Sequence, residues 1–506
     1  MLSVKRRVLI PFLAFLVLLP LPSSIRVGAD ITPAFRWDGY PLLKSGKSDV
    51  YSRTNDFLDS VSLEDNWERL QDSLLRFEQR ESLASAFLEI ENHGFSFALK
   101  IDLREELYDF TSASTWSNIP YVGNTKYAVT NAQYPSVAYG EYSSPDFYVS
   151  IGRRLFLLGP GEYSFILSPS QPYLDYASFG LSYNAPSYTL AYKFFALSSA
   201  NAVFNRAKTE TDSDVMKTVF IHKVSYERKN FIIGLSELNL VYDTTPSLVD
   251  FTPFVLWHNQ YQEEHSNVMI ELSIEGKIKS VRLWALYAQD DICLRNESNN
   301  LKPTALGFAA GFDWHISYGK KFTSPIRRNS DYMMRENTLR EDGGLHLEGE
   351  AYWATNWLYN RRSDDGGGGF TSDKYGKIML PYRYYSSNGG FVDVDDCFYI
   401  GFPYGPGTIL SKLSISYENE DFRIEGYGSL LMRGDITIDT PVEKSSKERW
   451  LSLEGEILRV WTVGLEGEWI PFSGWRNLSL TLSSSFSFDS RKRFYPLLSL
   501  TFGTSF

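Results

Sequence analysis

From Trp450 to the last residue the chain alternates apolar and polar side chains in four runs. Leu451, Leu453 and Ile457 alternate with Ser452, Glu454 and Glu456. Trp461, Val463, Leu465 and Trp469 alternate with Thr462, Gly464, Glu466 and Glu468. Leu478, Leu480, Leu482, Phe486 and Phe488 alternate with Ser479, Thr481, Ser483, Ser485 and Ser487. Leu498, Leu500, Phe502 and Phe506 alternate with Ser499, Thr501, Gly503 and Ser505. A period of two places one set on each face of a strand. The pattern recurs upstream over Phe95–Leu103, Tyr188–Phe194, Val268–Glu275, Leu345–Trp353 and Phe422–Leu430. Its polar members include Lys100, Asp102, Lys193, Glu271, Glu348 and Glu425, which are costly against lipid and belong on a wet face.

One segment breaks the pattern. Leu63, Trp67, Leu70, Leu74 and Phe77 recur at helical spacing behind a Ser62/Asp65 capping box, and Leu83, Phe87 and Leu88 continue that helix or start a second one. The spacing predicts a helical cap or plug. Long polar stretches at Lys320–Gly344, Asn360–Tyr375 and Gly434–Arg449 separate later runs. They are expected as extracellular loops, because barrels keep their short turns inside. Gly159-Pro160-Gly161 and Gly405-Pro406-Gly407 lack the spacing and the Lys of a phosphate loop and read as tight turns.

A soluble sheet shows the same alternation, so export and composition decide the class. Lys5, Arg6 and Arg7 precede an apolar run from Val8 to Leu21, and Val27-Gly28-Ala29 has the small residues of a cleavage site. Residues 1–29 are expected as a signal peptide, 30–92 as the N-terminal segment with the helical cap, and 93–506 as the barrel. The apolar run is short and broken by Pro11 and Pro20, unlike a membrane helix. An exported chain that spans a membrane without such helices does so as a closed barrel. Aromatics make up 15% of the chain, as two interfacial girdles require. Phe506 ends the final run and reads as the signal by which the barrel assembly machinery recognises its clients. The reading is an all-β fold: one antiparallel β-barrel of roughly 16–18 strands in the bacterial outer membrane, with the lipid bilayer as partner. A net charge of −11 argues against nucleic acid.

Catalytic chemistry is sparse. The six histidines, His93, His222, His258, His265, His315 and His346, are scattered, and His258 and His265 beside Glu263 and Glu264 lack a metalloprotease spacing. Glu348 and Glu350 have the residue type for glycoside hydrolysis, but on one strand they read as lumen lining. Ser168 has no His and Asp at a triad spacing. No enzyme, cofactor or metal is expected. Cys293 and Cys397 follow Asp290-Asp291 and Asp395-Asp396, and a disulfide is open in an oxidising compartment.

Several stretches in order resemble the Wzi-like capsule-assembly family of outer-membrane barrels. They are Ile151-Gly152-Arg153-Arg154 with Leu158-Gly159-Pro160-Gly161 and Ile166-Leu167-Ser168; His222 to Tyr226 with Ile233 to Glu237; Phe251-Thr252-Pro253-Phe254 with His258-Asn259-Gln260; Asn267 through Trp284 to Asp290-Asp291; and Gly401 to Gly407. The resemblance implies a structural or lectin-like protein that binds surface or capsular polysaccharide. Trp353, Trp357 and Tyr359 are then the candidate glycan contacts, against the plainer expectation that they belong to an interfacial girdle. The alternative reading is a general porin or channel for small solutes.

Overall fold

The structure is a computed structural model. It describes residues 23–38, 82–103, 115–118, 135–169, 174–198, 217–242, 245–252, 266–291, 303–316, 321–360, 362–364, 370–372, 376–386, 390–438, 440, 450–471, 477–492 and 494–506. The helical spacing at Leu63–Phe77, and any Cys293–Cys397 bridge, lie outside the described residues.

The strands in chain order are β1 (Ser24–Ile31), β2 (Ala34–Asp38), β3 (Ala84–Asn92), β4 (Phe95–Leu103), β5 (Thr115–Ser117), β6 (Val137–Ser143), β7 (Phe147–Arg154) and β8 (Phe156–Leu157). Then come β9 (Leu174–Ala185), β10 (Tyr188–Ser198), β11 (Lys217–Arg228), β12 (Phe231–Tyr242), β13 (Ser266–Ile278), β14 (Val281–Asp291), β15 (Ala305–Ile316), β16 (Met334–Arg335) and β17 (Gly344–Ala354). The rest are β18 (Arg362–Asp364), β19 (Phe370–Ser372), β20 (Met379–Ser386), β21 (Gly390–Tyr399), β22 (Thr408–Glu418), β23 (Phe422–Arg433), β24 (Leu458–Trp469), β25 (Leu478–Asp489) and β26 (Phe494–Ser505).

Twenty of these form one sheet. Each long strand pairs antiparallel with its chain neighbours, and the sheet closes where β1 and β2 both pair with β26. Strand β2 continues β1 past Thr32-Pro33, and β5 is a three-residue pairing on its flank. What remains is a closed antiparallel barrel of 18 staves, at the upper end of the expected range. Among the described residues the first and last strands are paired to each other, as hydrocarbon demands.

The two faces separate as the alternation requires. Val463, Leu465, Phe486, Leu498 and Phe502 are exposed on the outside. The register puts Thr462, Ser483, Ser485 and Ser499 on the opposite face. With an apolar exterior and a charged interior, this is a bacterial outer-membrane barrel.

Three details differ from expectation. Phe87 and Leu88 belong to β3, whose period of two pairs Phe87 with Gly28 and Leu88 with Val27. The barrel thus begins before residue 93, and the expected cleavage point after Ala29 falls inside β1. Residues 450–457 are not a strand: Gly455 turns in the left-handed region at φ 75°, and the Glu456 N–H donates to Asp435 Oδ2 at 2.9 Å. The segment between β15 and β17, expected outside, leaves from the same end as the two-residue turns His93-Gly94 and Lys279-Ser280, the periplasmic end by the rule above. It folds back into the lumen.

Placing arginine at Val463, on the lipid face, is expected to cost about 2–4 kcal/mol if the site lies near the bilayer midplane. Arginine at Ser485 on the lumen face is expected to cost much less. Urea-dependent refolding into liposomes, followed by heat-modifiable mobility, measures both.

Candidate functional site

The lumen is the place where chemistry is concentrated, and two connections enter it from opposite ends. The first, residues 155–169 between β7 and β9, starts from the end of the long loops. Phe156, Leu158, Phe165, Ile166 and Leu167 on it are fully or almost fully buried. They pack against the lumen sides of β9 to β14 through Tyr176, Phe195, Ile221, Leu238, Met269 and Trp284. This half of the wall is apolar on both faces near its long-loop end, which period-two reading does not anticipate.

The backbone of that segment is held by lumen side chains. Glu271 accepts from Phe165 N–H at 2.8 Å and from Ser164 Oγ at 3.1 Å. Glu350 accepts from Glu162 N–H at 3.2 Å, and Lys412 donates to Glu162 at 2.7 Å. Arg282 donates to the Pro160 carbonyl at 2.9 Å. Gly161 is required here: a Cβ would sit 2.4 Å from Tyr352 Oη and 2.6 Å from Trp284. The turn expected at Gly159-Pro160-Gly161 is therefore also a point of close approach.

The second connection, residues 321–343, crosses from the periplasmic end. Arg327 N–H donates to Asp30 at 3.0 Å, and the Arg327 guanidinium lies 3.3 Å from Glu89. Arg328 pairs with Glu468 at 2.7 Å. Lys223 pairs with Glu336, and Arg340 with Glu348. Leu339 N–H donates to Glu275 at 2.8 Å. These partners sit on β1, β3, β11, β13, β17 and β24, on several sides of the wall. Burial and the hydrogen bond to Glu89 push the Tyr332 hydroxyl of this segment well above its ordinary value. The two connections meet where β16 pairs in parallel with β8, Met334 against Phe156 and Arg335 against Leu157. The space between segment and wall at Lys223, Glu275 and Glu336 is about 20 Å³, room for roughly one water.

The fastenings differ in kind. Five buried apolar side chains at about 1.5–3 kcal/mol each anchor residues 155–169. Residues 321–343 bury Phe322, Ile326 and Tyr332, and are otherwise fastened by ion pairs and by hydrogen bonds from backbone and side-chain donors to the wall. Lys223 and Glu336 are largely buried, and only the more exposed pairs fall in the range of about 0–1 kcal/mol typical of a surface. The first connection is part of the apolar core, and the second is a closure made mostly of polar contacts.

The opposite part of the wall is open to water. Along β23 to β26 the lumen side chains Glu425, Tyr427, Ser429, Thr462, Ser483, Ser485, Ser487 and Ser499 are partly exposed, and Glu466 is exposed. Glu466 stands directly across from Glu425 in the β23–β24 register. Hydroxyls and carboxylates thus line one side of the lumen, against a packed wall on the other.

Nearer the periplasmic end Asp313, His346 and Glu348 offer three ligand atoms within 4.8 Å of one another. Arg340 takes the place a cation would fill beside Glu348, and the Arg282 guanidinium lies 3.9 Å from Asp313. His315 stacks on His346 with centroids 4.4 Å apart. Sequence reading treated these two histidines as scattered. The register of β15 against β17, which pairs them, is the signal that was missing.

The candidate glycan contacts do not come together. Trp357 is 1% exposed, in a cluster with Ala305 and Ile436. Tyr359 is fully buried: its hydroxyl donates to the Phe165 carbonyl at 2.8 Å and accepts from Phe402 N–H at 2.8 Å. Neither offers a ring face to a sugar. Trp353 lies on the outer face against Phe308 at 5.5 Å, a lipid-facing position. Phe506 pairs its backbone with Ala29 at 2.9 Å and keeps its ring 70% exposed outward.

No family model and no curated protein matches the chain. Solved structures similar to it include OccK2 (OpdF) of Pseudomonas aeruginosa in complex with glucuronate, at 9% identity over 96% of this chain and 98% of that one, with a TM-score of 0.41. OprD of the same organism gives 7% identity, 96% of each chain and 0.40. A BenF-like porin from Pseudomonas fluorescens gives 10% identity, 96% and 100%, and 0.43. The resemblance to the Wzi-like family is corrected by these findings: no family model supports it, and these structural neighbours are porins. Its motifs are short, and Gly-Pro-Gly turns and alternating strands recur in barrels for reasons of backbone geometry alone.

Replacing Glu271 by Ala leaves the Phe165 N–H and the Ser164 hydroxyl without their acceptor inside a dry core. A loss of about 1–3 kcal/mol is expected. The temperature of the heat-modifiable mobility shift should fall accordingly, with Glu425→Ala as the near-neutral control.

Proposed function

We propose that the protein is an outer-membrane channel for small solutes, with its path along the β23–β26 side of the lumen and residues 321–343 as the constriction. The observation that carries this reading is the division of the wall. One side is filled by a hydrophobically anchored segment, while the other keeps a continuous row of hydroxyls and carboxylates in contact with water. A barrel that served only as a scaffold has no use for an unfilled polar side. A segment held across the lumen mostly by polar contacts narrows the passage without filling it with an apolar core. The polysaccharide-holding role loses support with the burial of Trp357 and Tyr359.

Planar-bilayer recording tests the reading. The full chain is expected to give small, salt-dependent conductance steps. A variant with residues 323–341 replaced by a short Gly-Ser linker is expected to give steady steps several-fold larger. If neither protein conducts, and neither swells liposomes in sugars of a few hundred daltons, the channel reading fails.

A further inference from the structure

The wall carries an exception on its outer face. On β11 to β13 the outward side chains of the periplasmic half, Val224, Leu235 and Ile274, are exposed. Phe220, Val241 and Val268 project from the same face by register, in the half nearer the long loops, and are buried. So are three polar neighbours, His222, Glu237 and Asn239, at 7%, 4% and 2% exposure. His222 Nε2 lies 2.8 Å from Glu237. A carboxylate on the lipid face is costly, and this one is covered.

Residues 245–252, just past β12, lie over that band on the outside of the barrel. Phe251 packs edge-on to Phe220, with centroids 4.8 Å apart and 73° between planes. Asn239 Nδ2 donates to Asp250 Oδ1 at 3.2 Å. The other Asp250 oxygen accepts from Ser247 N–H at 2.7 Å and from the Ser247 hydroxyl at 3.0 Å. The N–H groups of Asp250, Phe251 and Thr252 donate to the carbonyls of Ser247, Leu248 and Val249 at 3.1, 3.3 and 3.0 Å. Backbone donors satisfied within the segment suit it to lie against hydrocarbon. Asp250 thus bonds to the wall and to its own turn, while Leu248, Val249 and Phe251 are 87%, 43% and 47% exposed.

We propose that residues 245–252 form a strap seated in the outer leaflet of the bilayer. Leu248, Val249 and Phe251 meet lipid acyl chains, and His222, Glu237 and Asn239 are shielded beneath. Acyl chains are the fitting partner because the strap continues the lipid-facing surface that Val224 and Leu235 form on the same strands. Three side chains fall far short of the ~800 Å² per partner that a stable dimer buries. In water the same three would stand exposed with no gain from burial. The strap rests on the barrel's place in the membrane and is independent of the channel reading.

The test uses the full chain in phosphatidylcholine liposomes with Cys293→Ser and Cys397→Ser. Leu248→Cys carries a nitroxide. Electron paramagnetic resonance reads its collisions with oxygen, which concentrates in hydrocarbon, and with a water-soluble nickel chelate. Val224→Cys supplies the lipid-facing reference. Arg491→Cys, exposed between β25 and β26 at the same end of the barrel, supplies the aqueous one. The oxygen-to-nickel ratio at position 248 is expected to exceed that at 491 several-fold and to approach that at 224. Phe251→Ser, which takes the ring off Phe220, is expected to bring the ratio at 248 down toward the aqueous value. Should that variant lose heat-modifiable mobility, Asn239→Ala carries the same expectation. A ratio at 248 equal to that at 491, or one that the variants leave unmoved, overturns the strap. Few collisions with either reagent, together with spin–spin broadening between copies, overturns lipid as the partner in favour of a second copy of the chain.

Discussion

Hydrocarbon offers a backbone nothing to bond to, and this one constraint shapes the molecule. The sheet must close, so the chain's first described strand bends at Thr32-Pro33 and pairs with β26 above and below the bend. Closure at 18 staves encloses more space than side chains alone can fill. The chain answers with its own connections, one entering from each end. The lumen is therefore a second interior, built with polar chemistry on one side and apolar chemistry on the other.

The two entering segments follow different physics. Residues 155–169 behave as core: their apolar side chains are buried, and Glu271, Glu350 and Arg282 satisfy their backbone. Residues 321–343 behave as surface turned inward. Their bonds reach many strands and join polar groups of the segment to charged side chains of the wall. A division into an apolar filling and a polar one follows from which residues each segment carries.

How much was legible follows from the same physics. The faces of β4, β10, β13, β17, β23, β24, β25 and β26 were readable, because an outward charge or an inward break in polarity is costly there. Strand β3 was misread as helical, because Leu83, Phe87 and Leu88 fit a helix face as well as part of a strand. Trp353, Trp357 and Tyr359 read as girdle residues, with glycan contact as the sharper option; that Trp357 and Tyr359 are buried is not legible, because aromatic residues before a glycine-rich loop carry no mark of burial. The histidine pair was invisible: His315 and His346 are far apart along the chain, and only the β15–β17 register stacks them.

The sequence by itself determined the class of the protein, since alternation of apolar and polar residues over many strands with abundant aromatics admits few other solutions. Tertiary structure alone decided which polar connections face bulk water and which enter the barrel. A polar segment is equally at home in solvent and in a wet lumen, so its composition does not choose between them. The choice is made by partners such as Glu89, Glu468 and Glu336's mate Lys223, which come together only when the sheet closes.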